Sequence, residues 1–378
     1  MSTNKNPKPT GRYAAGTLTF TIRDDREEQL RPGTKRSISA RVYYPVLKES
    51  VAGLKKAQYM SREMFKALKD NFKIPMDYDK KTAAGENESE CYENAPVMEG
   101  EKFPLIIFNH GYLSFREANS FLCIELASRG YVIISVSHPL EAMCTEYDDS
   151  ACVYRDKKIL KEANKPFIPN LFAMTRLTKL KGTNEELAAA FDAYQERYGT
   201  FMKKRLPEWA KDIYAVLSYA KNNLDNMIDF DRGIGLTGHS FGGATAYYLC
   251  MNDPQFVCGI NIDGGLFGDY KGKVLKTPFM NVTSTTNENV SARAYIRHTE
   301  PVYKAVFRDM KHVAFSDMKH AVNISSMMGK LPADAMHENL CKCHAEFFDT
   351  HLKKEKTRPE LASNDVMRYE VFEPDQSM

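Results

Sequence analysis

The pentapeptide GHSFG at residues 238–242 constrains this chain more than any other feature. A short apolar run at 233–237 precedes it and predicts a buried strand, and the small-residue-rich stretch 243–250 that follows predicts a helix packed close to a sheet. A serine between a strand and a helix in a G-x-S-x-G pattern is typical of a nucleophile elbow, a strained turn that exposes the serine hydroxyl. The turn needs small neighbours because a Cβ beside it would clash with the tight backbone. We therefore predict that Ser240 is a nucleophile.

The rest of the chain predicts the sheet that such an elbow requires. Buried strands are predicted at 103–108, 131–136, 233–237, 256–262, 278–283 and 304–308, and helices at 59–72, 121–129 and 209–222. Strands that alternate with helices indicate a parallel sheet, and the alternating polarity at 16–22 and 38–45 predicts an antiparallel start to it. Residues 80–102 are polar and predict a loop. The expected fold class is α/β, an α/β-hydrolase fold whose mostly parallel central sheet is flanked by helices.

Two segments lie outside this predicted core. We expect one α/β-hydrolase domain over 1–378, with a helical insertion at 150–206 before the elbow and a charged, flexible tail at 352–378. The insertion combines an irregular apolar patch at 166–174 with a charged helical stretch at 184–204, and it forms either a cap over the site or a surface excursion. The apolar side chains of the patch either pack as a lid or core, or lie exposed for contact with a membrane surface.

Composition excludes several classes of function. The net charge of +3 is too small and too dispersed to favour nucleic acid, and no apolar run approaches the ~18 residues of a membrane span. Residues 1–9 are polar and lack the apolar core of a signal peptide, so we expect a cytoplasmic protein. No cofactor or metal is expected. Cys341 and Cys343 are one residue apart, whereas zinc-binding cysteines are usually separated by roughly two to four residues.

A serine nucleophile needs a base to take its proton and an acid to orient that base, in the chain order serine, acid, histidine for this fold. His312 is the best-placed base, because it follows the last predicted strand by four residues, and His298 is the runner-up. Asp263 directly follows the predicted strand 256–262, where a carboxylate can reach an imidazole. Glu288, after the next strand, is its competitor. We favour Asp263 and His312.

The negative charge that develops on a substrate oxygen requires backbone N–H donors, which form an oxyanion hole. One donor is expected from Phe241, the residue after the nucleophile. The other is expected from Tyr112, in the loop that follows the strand at 103–108. His110 and His239 neighbour these positions, and we expect each of them to order its loop by hydrogen bonding and not to act in catalysis.

Five segments of the chain resemble one known family, the plasma/type II platelet-activating factor acetylhydrolases and their bacterial relatives. They are residues 103–111, 125–132, 238–245, 258–263 and 312–317, so the resemblance spans roughly residues 100–320. The resemblance implies a calcium-independent serine esterase that releases short acyl groups, including those at the sn-2 position of phospholipids. It also supports Asp263 over Glu288. Residues 136–139 depart from the family pattern and look more like bacterial relatives of broader ester specificity.

These observations lead to one favoured function and two alternatives. The favoured function is hydrolysis of short-chain acyl esters, including phospholipids such as platelet-activating factor, by Ser240, His312 and Asp263 through an acyl-enzyme. A broad-specificity carboxylesterase for small molecules would keep this machinery and change the substrate, and a non-catalytic binding module would use the fold alone. The expected partners are a small ester or short-chain phospholipid and, transiently, a membrane surface; neither nucleic acid nor a transmembrane segment is expected.

Overall fold

The computed structural model describes residues 6–72, 77–156, 158–159, 161, 166–321 and 324–374, without the side chain of Phe72. Residues 1–5 of the polar leader, 375–378 of the predicted tail and parts of the predicted insertion lie outside the described residues. Within these ranges, no helix is both long enough and apolar enough to cross a membrane.

The strands are β1 (Ala14–Glu27), β2 (Lys35–Val46), β3 (Lys56–Gln58), β4 (Glu88–Glu93), β5 (Phe103–Asn109), β6 (Val132–Ser137), β7 (Cys144–Glu146), β8 (Cys152–Tyr154), β9 (Ile228–His239), β10 (Phe256–Ile262), β11 (Phe279–Ser284), β12 (Val302–Phe307) and β13 (Met367–Phe372). The α-helices are α1 (Arg62–Phe72), α2 (Tyr78–Ala83), α3 (Ser120–Ser128), α4 (Phe167–Thr178), α5 (Asn184–Tyr198), α6 (Thr200–Asn223), α7 (Phe241–Asn252), α8 (Met318–Ala321), α9 (Ser325–Met328) and α10 (Ala333–His351). Short 3-10 helices span Lys48–Val51, Glu288–Tyr295 and His312–Phe315.

The chain forms two compact units. The first comprises Met1–Asp156 and Asp212–Asp231, and the second comprises Lys157–Lys211 and Arg232–Met378. The expectation of one domain over residues 1–378 therefore stays a prediction. The helical insertion predicted at 150–206 contains α4, α5 and the first residues of α6.

The first unit contains both parallel and antiparallel strands. β5 and β6 are parallel, β2 pairs antiparallel with both β6 and β1, and β4 pairs parallel with β1 and antiparallel with β3. The antiparallel start of the sheet is thus confirmed. The predicted loop at 80–102 is wrong in part, because it holds the end of α2 and all of β4. The polar composition of β4 hides its alternation: Ser89 and Cys91 are buried, and the Ser89 hydroxyl donates to the Ala57 carbonyl at 2.9 Å.

The second unit is built on four parallel strands in the order β9-β10-β11-β12, with β13 added antiparallel to β12. β10 matches its predicted bounds. Helix α10 packs closely on β9, since a Cβ at Gly235 would lie 2.8 Å from the Phe348 ring. The prediction of a flexible tail over 352–378 is wrong at β13. There Met367, Tyr369 and Val371 alternate with charged residues. This alternation is a strand pattern inside an otherwise charged segment.

A buried ionic cluster stabilises the first unit. The carboxylate of Asp212, on α6, accepts hydrogen bonds from Arg36 Nε and Nη2 at 2.7 and 2.6 Å and from Arg26 Nη2 at 2.7 Å. His138 Nδ1 lies 2.8 Å from the same carboxylate, and Arg36 also pairs with Glu28. Burial by itself raises the pKa of Asp212, but the charge and hydrogen bonds of Arg36 outweigh it and hold that pKa far below its ordinary range.

We expect Asp212→Asn to lower the free energy of unfolding by about 3–5 kcal/mol near neutral pH, because it removes the buried carboxylate that pairs with both Arg36 and Arg26. A group whose folded-state pKa is depressed adds stability above its unfolded pKa and loses it as the pH falls. The difference between wild type and variant should therefore shrink below about pH 4. Urea denaturation over a pH series measures both effects, and Asp225→Asn, at an exposed carboxylate of the same unit, is the control. Equal losses in the two variants would contradict the prediction.

Candidate active site

Ser240 lies in a strained turn between a strand and a helix. β9 ends at His239, α7 begins at Phe241, and Ser240 between them has φ 56° and ψ −119°. Its N–H donates to the Ile262 carbonyl at 2.7 Å, and its carbonyl accepts from the Ala244 N–H at 3.1 Å. A non-glycine residue in such a conformation costs about 1–3 kcal/mol and persists only when its surroundings hold it. These two backbone hydrogen bonds hold the elbow predicted from GHSFG.

Glycines allow the backbone beside this turn to pack closely. A Cβ at Gly264 would lie 2.1 Å from the Ser240 carbonyl oxygen, and a Cβ at Gly243 would lie 1.9 Å from Asn261 Oδ1. Asn261 in turn accepts from the Gly264 N–H at 3.0 Å and donates to the Gly264 carbonyl at 2.9 Å. Any larger side chain at these two glycines would force the turns after β9 and β10 apart.

His312 lies against the serine. It begins the short 3-10 helix His312–Phe315 after β12, and its Nε2 is 2.9 Å from Ser240 Oγ. The carbonyl oxygen of His312 lies 2.9 Å from His239 Nε2, which therefore donates to it. Burial, together with the charge of His312, lowers the pKa of His239 to about 3, so the His239 ring is neutral near neutral pH. His239 thus orders the loop that carries His312.

Asp263 completes the hydrogen-bonded series. It follows β10 with φ 56°, its side chain is fully buried, and its Oδ2 lies 2.8 Å from His312 Nδ1. The other oxygen, Oδ1, accepts from the Ser284 N–H at 2.6 Å and from Thr283 Oγ1 at 3.1 Å, and Asn287 Nδ2 donates to Oδ2 at 2.8 Å. Burial by itself raises the pKa of Asp263, but His312 and Ser284 outweigh it, so the pKa is lowered below its ordinary value.

The geometry assigns the imidazole protons. An ionised carboxylate only accepts hydrogen bonds, so His312 Nδ1 carries a proton and donates it to Asp263. Nε2 of His312 is then the acceptor that faces the Ser240 hydroxyl. The His312 side chain is 40% exposed while that of Asp263 is buried, so the base is open to a substrate and the acid is not. This arrangement can take a proton from the serine hydroxyl and return it.

The competing candidates make other contacts. Glu288 Oε2 pairs with Lys304 Nζ at 3.0 Å and with Arg368 Nη2 at 2.5 Å. His298 is buried, and its Nδ1 lies 2.9 Å from the Glu300 carbonyl oxygen. The structure therefore brings together Ser240, Asp263 and His312 and places the two alternatives in separate polar contacts.

The two expected oxyanion donors belong to different units. Phe241 is the first residue of α7, so its N–H is directed toward the N-terminal end of that helix. Tyr112 lies in the first unit, in the turn after β5 that the Ser114 N–H closes on the Gly111 carbonyl at 2.9 Å. His110 orders that segment, with Nδ1 2.7 Å from the Gly111 carbonyl oxygen and Nε2 accepting from the His138 N–H at 3.1 Å. The pairing of Phe241 with Tyr112 stays a prediction.

An aromatic side chain of the insertion lies one ring contact away from Phe241, the residue that follows the serine. The Phe191 ring, on α5, packs against Phe267 with ring centroids 5.3 Å apart, and Phe267 contacts the Phe241 ring at 6.4 Å. Trp209, on α6 and beyond the insertion, also contacts the Phe241 ring, with the ring centroids 4.7 Å apart. Phe191 of the insertion is therefore connected to the elbow through Phe267, within the second unit. A cap function for 150–206 stays a prediction.

Sequence reasoning missed the residues that hold the acid. Asn287 donates to Asp263, and Asn261 ties down the turn on which Asp263 stands. Both lie within or just beyond strands that end at the site, β10 and β11. A polar amide in a buried strand was the available signal for Asn261, because an amide buried in a sheet must find hydrogen-bonding partners.

Comparisons with known proteins agree with this architecture. The family model for platelet-activating factor acetylhydrolase, isoform II, matches residues 1–330. The platelet-activating factor acetylhydrolase of Cavia porcellus is 26% identical over 279 residues, 70% of this chain and 61% of that protein. That of Canis lupus familiaris is 30% identical over 184 residues, 45% of this chain and 37% of that protein. The chain thus spans less than two thirds of the length of these relatives.

A solved structure shares the fold. A ferulic acid esterase from Streptomyces cinnamoneus superposes with a TM-score of 0.71 at 21% identity, covering 95% of this chain and 96% of that chain. Its likeness establishes the predicted fold class, a mostly parallel sheet flanked by helices in the α/β-hydrolase arrangement. With the family model matching most of its length, this chain belongs to the platelet-activating factor acetylhydrolase, isoform II, family.

Proposed function

We propose that this protein hydrolyses carboxylic esters with short acyl chains, among them the sn-2 acyl groups of phospholipids such as platelet-activating factor. The observation that carries the proposal is the continuous hydrogen-bonded series from Ser240 Oγ through His312 to the buried carboxylate of Asp263. Membership of the family supports the substrate class, because its curated relatives are named platelet-activating factor acetylhydrolases.

The first half of the reaction acylates the serine. Ser240 Oγ attacks the acyl carbonyl carbon while its proton moves to His312 Nε2, and the carbonyl π electrons move onto the oxygen. Asp263 stabilises the imidazolium that forms, since its carboxylate stays ionised beside Nδ1. When the tetrahedral intermediate collapses, the C–O bond to the alcohol breaks and the alcohol oxygen takes the proton from Nε2.

The second half returns the enzyme to its starting state. A water molecule gives a proton to His312 Nε2 and attacks the acyl carbon, and Ser240 Oγ leaves with that proton to release the carboxylic acid. In both halves we assign the developing oxyanion to backbone N–H donors, the first of which is that of Phe241 at the start of α7. Loss of one such donor typically costs about 100- to 1000-fold in kcat.

Acyl-chain length tests the proposal and separates it from its alternatives. Turnover of p-nitrophenyl esters from acetate to palmitate should be confined to short chains, and a phospholipid with an sn-2 acetyl group should be cleaved faster than one with an sn-2 palmitoyl group. Turnover of p-nitrophenyl esters without cleavage of either phospholipid would favour a broad-specificity carboxylesterase. Absence of turnover on every ester would favour the remaining alternative, a non-catalytic binding module.

We expect Asn287→Ala to lower kcat/KM for p-nitrophenyl acetate by about tenfold, because the Asp263 carboxylate loses one hydrogen bond that helps to fix it toward His312. Asn287→Asp should lower it further, since a second carboxylate would then face the first. Steady-state kinetics measures both, with Asn252→Ala at the far end of α7 as the matched control. An alanine variant as active as this control would contradict the positioning role of Asn287.

A further inference from the structure

Helix α4 exposes a continuous apolar surface. Four of its side chains are 56–72% exposed, and we call them the apolar patch: Phe167, Ile168, Leu171 and Phe172. Residues separated by four positions lie on the same face of a helix, so the two pairs follow one another along one side of α4. Isolated exposed apolar residues are ordinary, but large ones grouped on a single helix face mark a contact surface.

The opposite face anchors the helix. Leu177 is buried against Phe191 and Val290, and Met174 packs against the same cluster. Asn170 Oδ1 accepts from the Tyr194 hydroxyl at 2.6 Å. Because these contacts fix the inward side of α4, the apolar patch lies on the outward side of a helix that is held in place.

Positive charge lies at the C-terminal end of the patch. The exposed face continues past the apolar patch into three exposed basic residues, which we call the basic end: Arg176, Lys179 and Lys181. Residues 166–181 contain these three basic residues and no acidic residue, although the chain has a net charge of only +3. A helix with large apolar side chains next to lysine and arginine is typical of segments that lie on anionic lipid surfaces.

A short series of contacts connects α4 to the catalytic series. Asn289 Nδ2 donates to the carbonyls of Leu177 and Leu180 at 2.9 and 2.8 Å and so caps the C-terminal end of α4. Asn289 is two residues from Asn287, which donates to Asp263. A surface that α4 contacts is therefore held beside the segment that positions the catalytic acid.

We propose that the apolar patch and basic end of α4 form a docking surface for membranes rich in anionic phospholipids. The apolar side chains enter the boundary between head groups and acyl chains, and the basic side chains contact the lipid phosphates. This inference goes beyond the proposed hydrolysis, since docking does not require turnover, and it supplies a way for an esterase to reach lipid substrates in aggregates.

Charge decides between a membrane and other occupants. A second copy of this chain, docked through the same surface, would offer the basic end no acidic partner, because residues 166–181 contain no aspartate or glutamate. A lid role would require the apolar patch to be turned inward, whereas the inward side of α4 is already occupied by Met174 and Leu177. An anionic lipid surface matches both the apolar and the basic parts.

Vesicle sedimentation tests the docking surface. The 378-residue chain is mixed with vesicles of phosphatidylcholine alone or with phosphatidylserine added, at low and high salt. We expect Phe167→Ser/Phe172→Ser to lower the partition coefficient on anionic vesicles by about tenfold or more, and Lys179→Glu/Lys181→Glu by a similar factor. The matched controls are Leu47→Ser/Leu54→Ser and Lys271→Glu/Lys276→Glu, which change exposed residues elsewhere.

Turnover of p-nitrophenyl acetate provides a readout independent of membranes. All four variants should keep the wild-type rate, which shows that they fold and that any loss of binding is a loss of docking. Equal vesicle binding by the α4 variants and their controls would overturn the proposal. So would wild-type binding that is the same on neutral and anionic vesicles, or absent on both. An inactive wild type that still binds anionic vesicles through α4 would refute the proposed hydrolysis and leave the docking surface standing.

Discussion

Ser240→Ala should lower kcat for p-nitrophenyl acetate by about 10⁵- to 10⁶-fold, the loss expected when the nucleophile of such a series is removed. Alanine has no oxygen to form the acyl-enzyme, and His312 Nε2 then has no hydroxyl to deprotonate at 2.9 Å. The residual rate should resemble that of water attack assisted by binding alone. Steady-state kinetics normalised to protein concentration measures the loss.

Ser326→Ala is the matched control, because it removes an exposed serine hydroxyl from the same unit. It should leave kcat unchanged within about twofold, since most exposed substitutions have small effects. A Ser240→Ala protein that keeps more than about one hundredth of the wild-type rate is incompatible with an acyl-enzyme on this residue.

Asp263→Asn should lower kcat by about 10⁴-fold. The carboxylate accepts the proton of His312 Nδ1, and an asparagine amide that turns its NH₂ toward the ring reverses this polarity. The imidazole then carries its proton on Nε2, where it cannot accept one from the serine. KM should change far less than kcat, because Asp263 is buried and does not contact the substrate in the proposed mechanism.

Glu288→Gln provides the direct comparison, since Glu288 was the competing acid in the sequence. It loses ion pairs with Lys304 and Arg368 that are partly open to solvent, and such pairs contribute about 0–1 kcal/mol. Its kcat should therefore stay within about threefold of wild type. A larger loss of kcat in Glu288→Gln than in Asp263→Asn would mean that Glu288, and not Asp263, is the acid that orients His312.

Acid titration of stability gives a second signature of Asp263. Its pKa is depressed in the folded state, so its contribution to stability is present above the unfolded value of about 3.9 and is lost as the pH falls through the folded pKa. In Asp263→Asn that contribution is missing at every pH. The free energy of unfolding of the variant should therefore depend less steeply on pH in the acid range than that of wild type.

The three proposed catalytic residues were accessible to sequence reasoning because each follows the end of a parallel strand. Ser240 directly follows β9, Asp263 directly follows β10, and His312 comes shortly after β12. Parallel strands bring their carboxyl ends to one edge of a sheet. His312 lies 72 positions after Ser240 and 49 positions after Asp263, yet this rule needs only the order of the strands. The same rule does not select Asn287, whose contact with Asp263 depends on the path of the chain after β11.

Polar composition hid two strands. β4 and β13 alternate in polarity, but glutamates in the first and arginine and glutamate in the second made these segments look like loop and tail. Pairing with a neighbouring strand decided their structure, and a single sequence does not show which strand will be the neighbour. The sequence also does not show which side of α4 is exposed, because that depends on tertiary packing. Met174 packs toward the interior, whereas Phe167 and Phe172 are exposed.

Covalent trapping with a fluorophosphonate tests the central claim most directly. Attack by an activated serine on phosphorus displaces fluoride and leaves a stable phosphonyl ester, which intact-mass spectrometry counts. Tryptic cleavage after Arg232 and Lys271 releases one peptide, residues 233–271, in which Ser240 is the only serine. We expect one adduct per chain, on Ser240, lost in the Ser240→Ala protein and in heat-unfolded wild type. An adduct elsewhere, or none on a folded protein that hydrolyses p-nitrophenyl acetate, would contradict a Ser240 nucleophile.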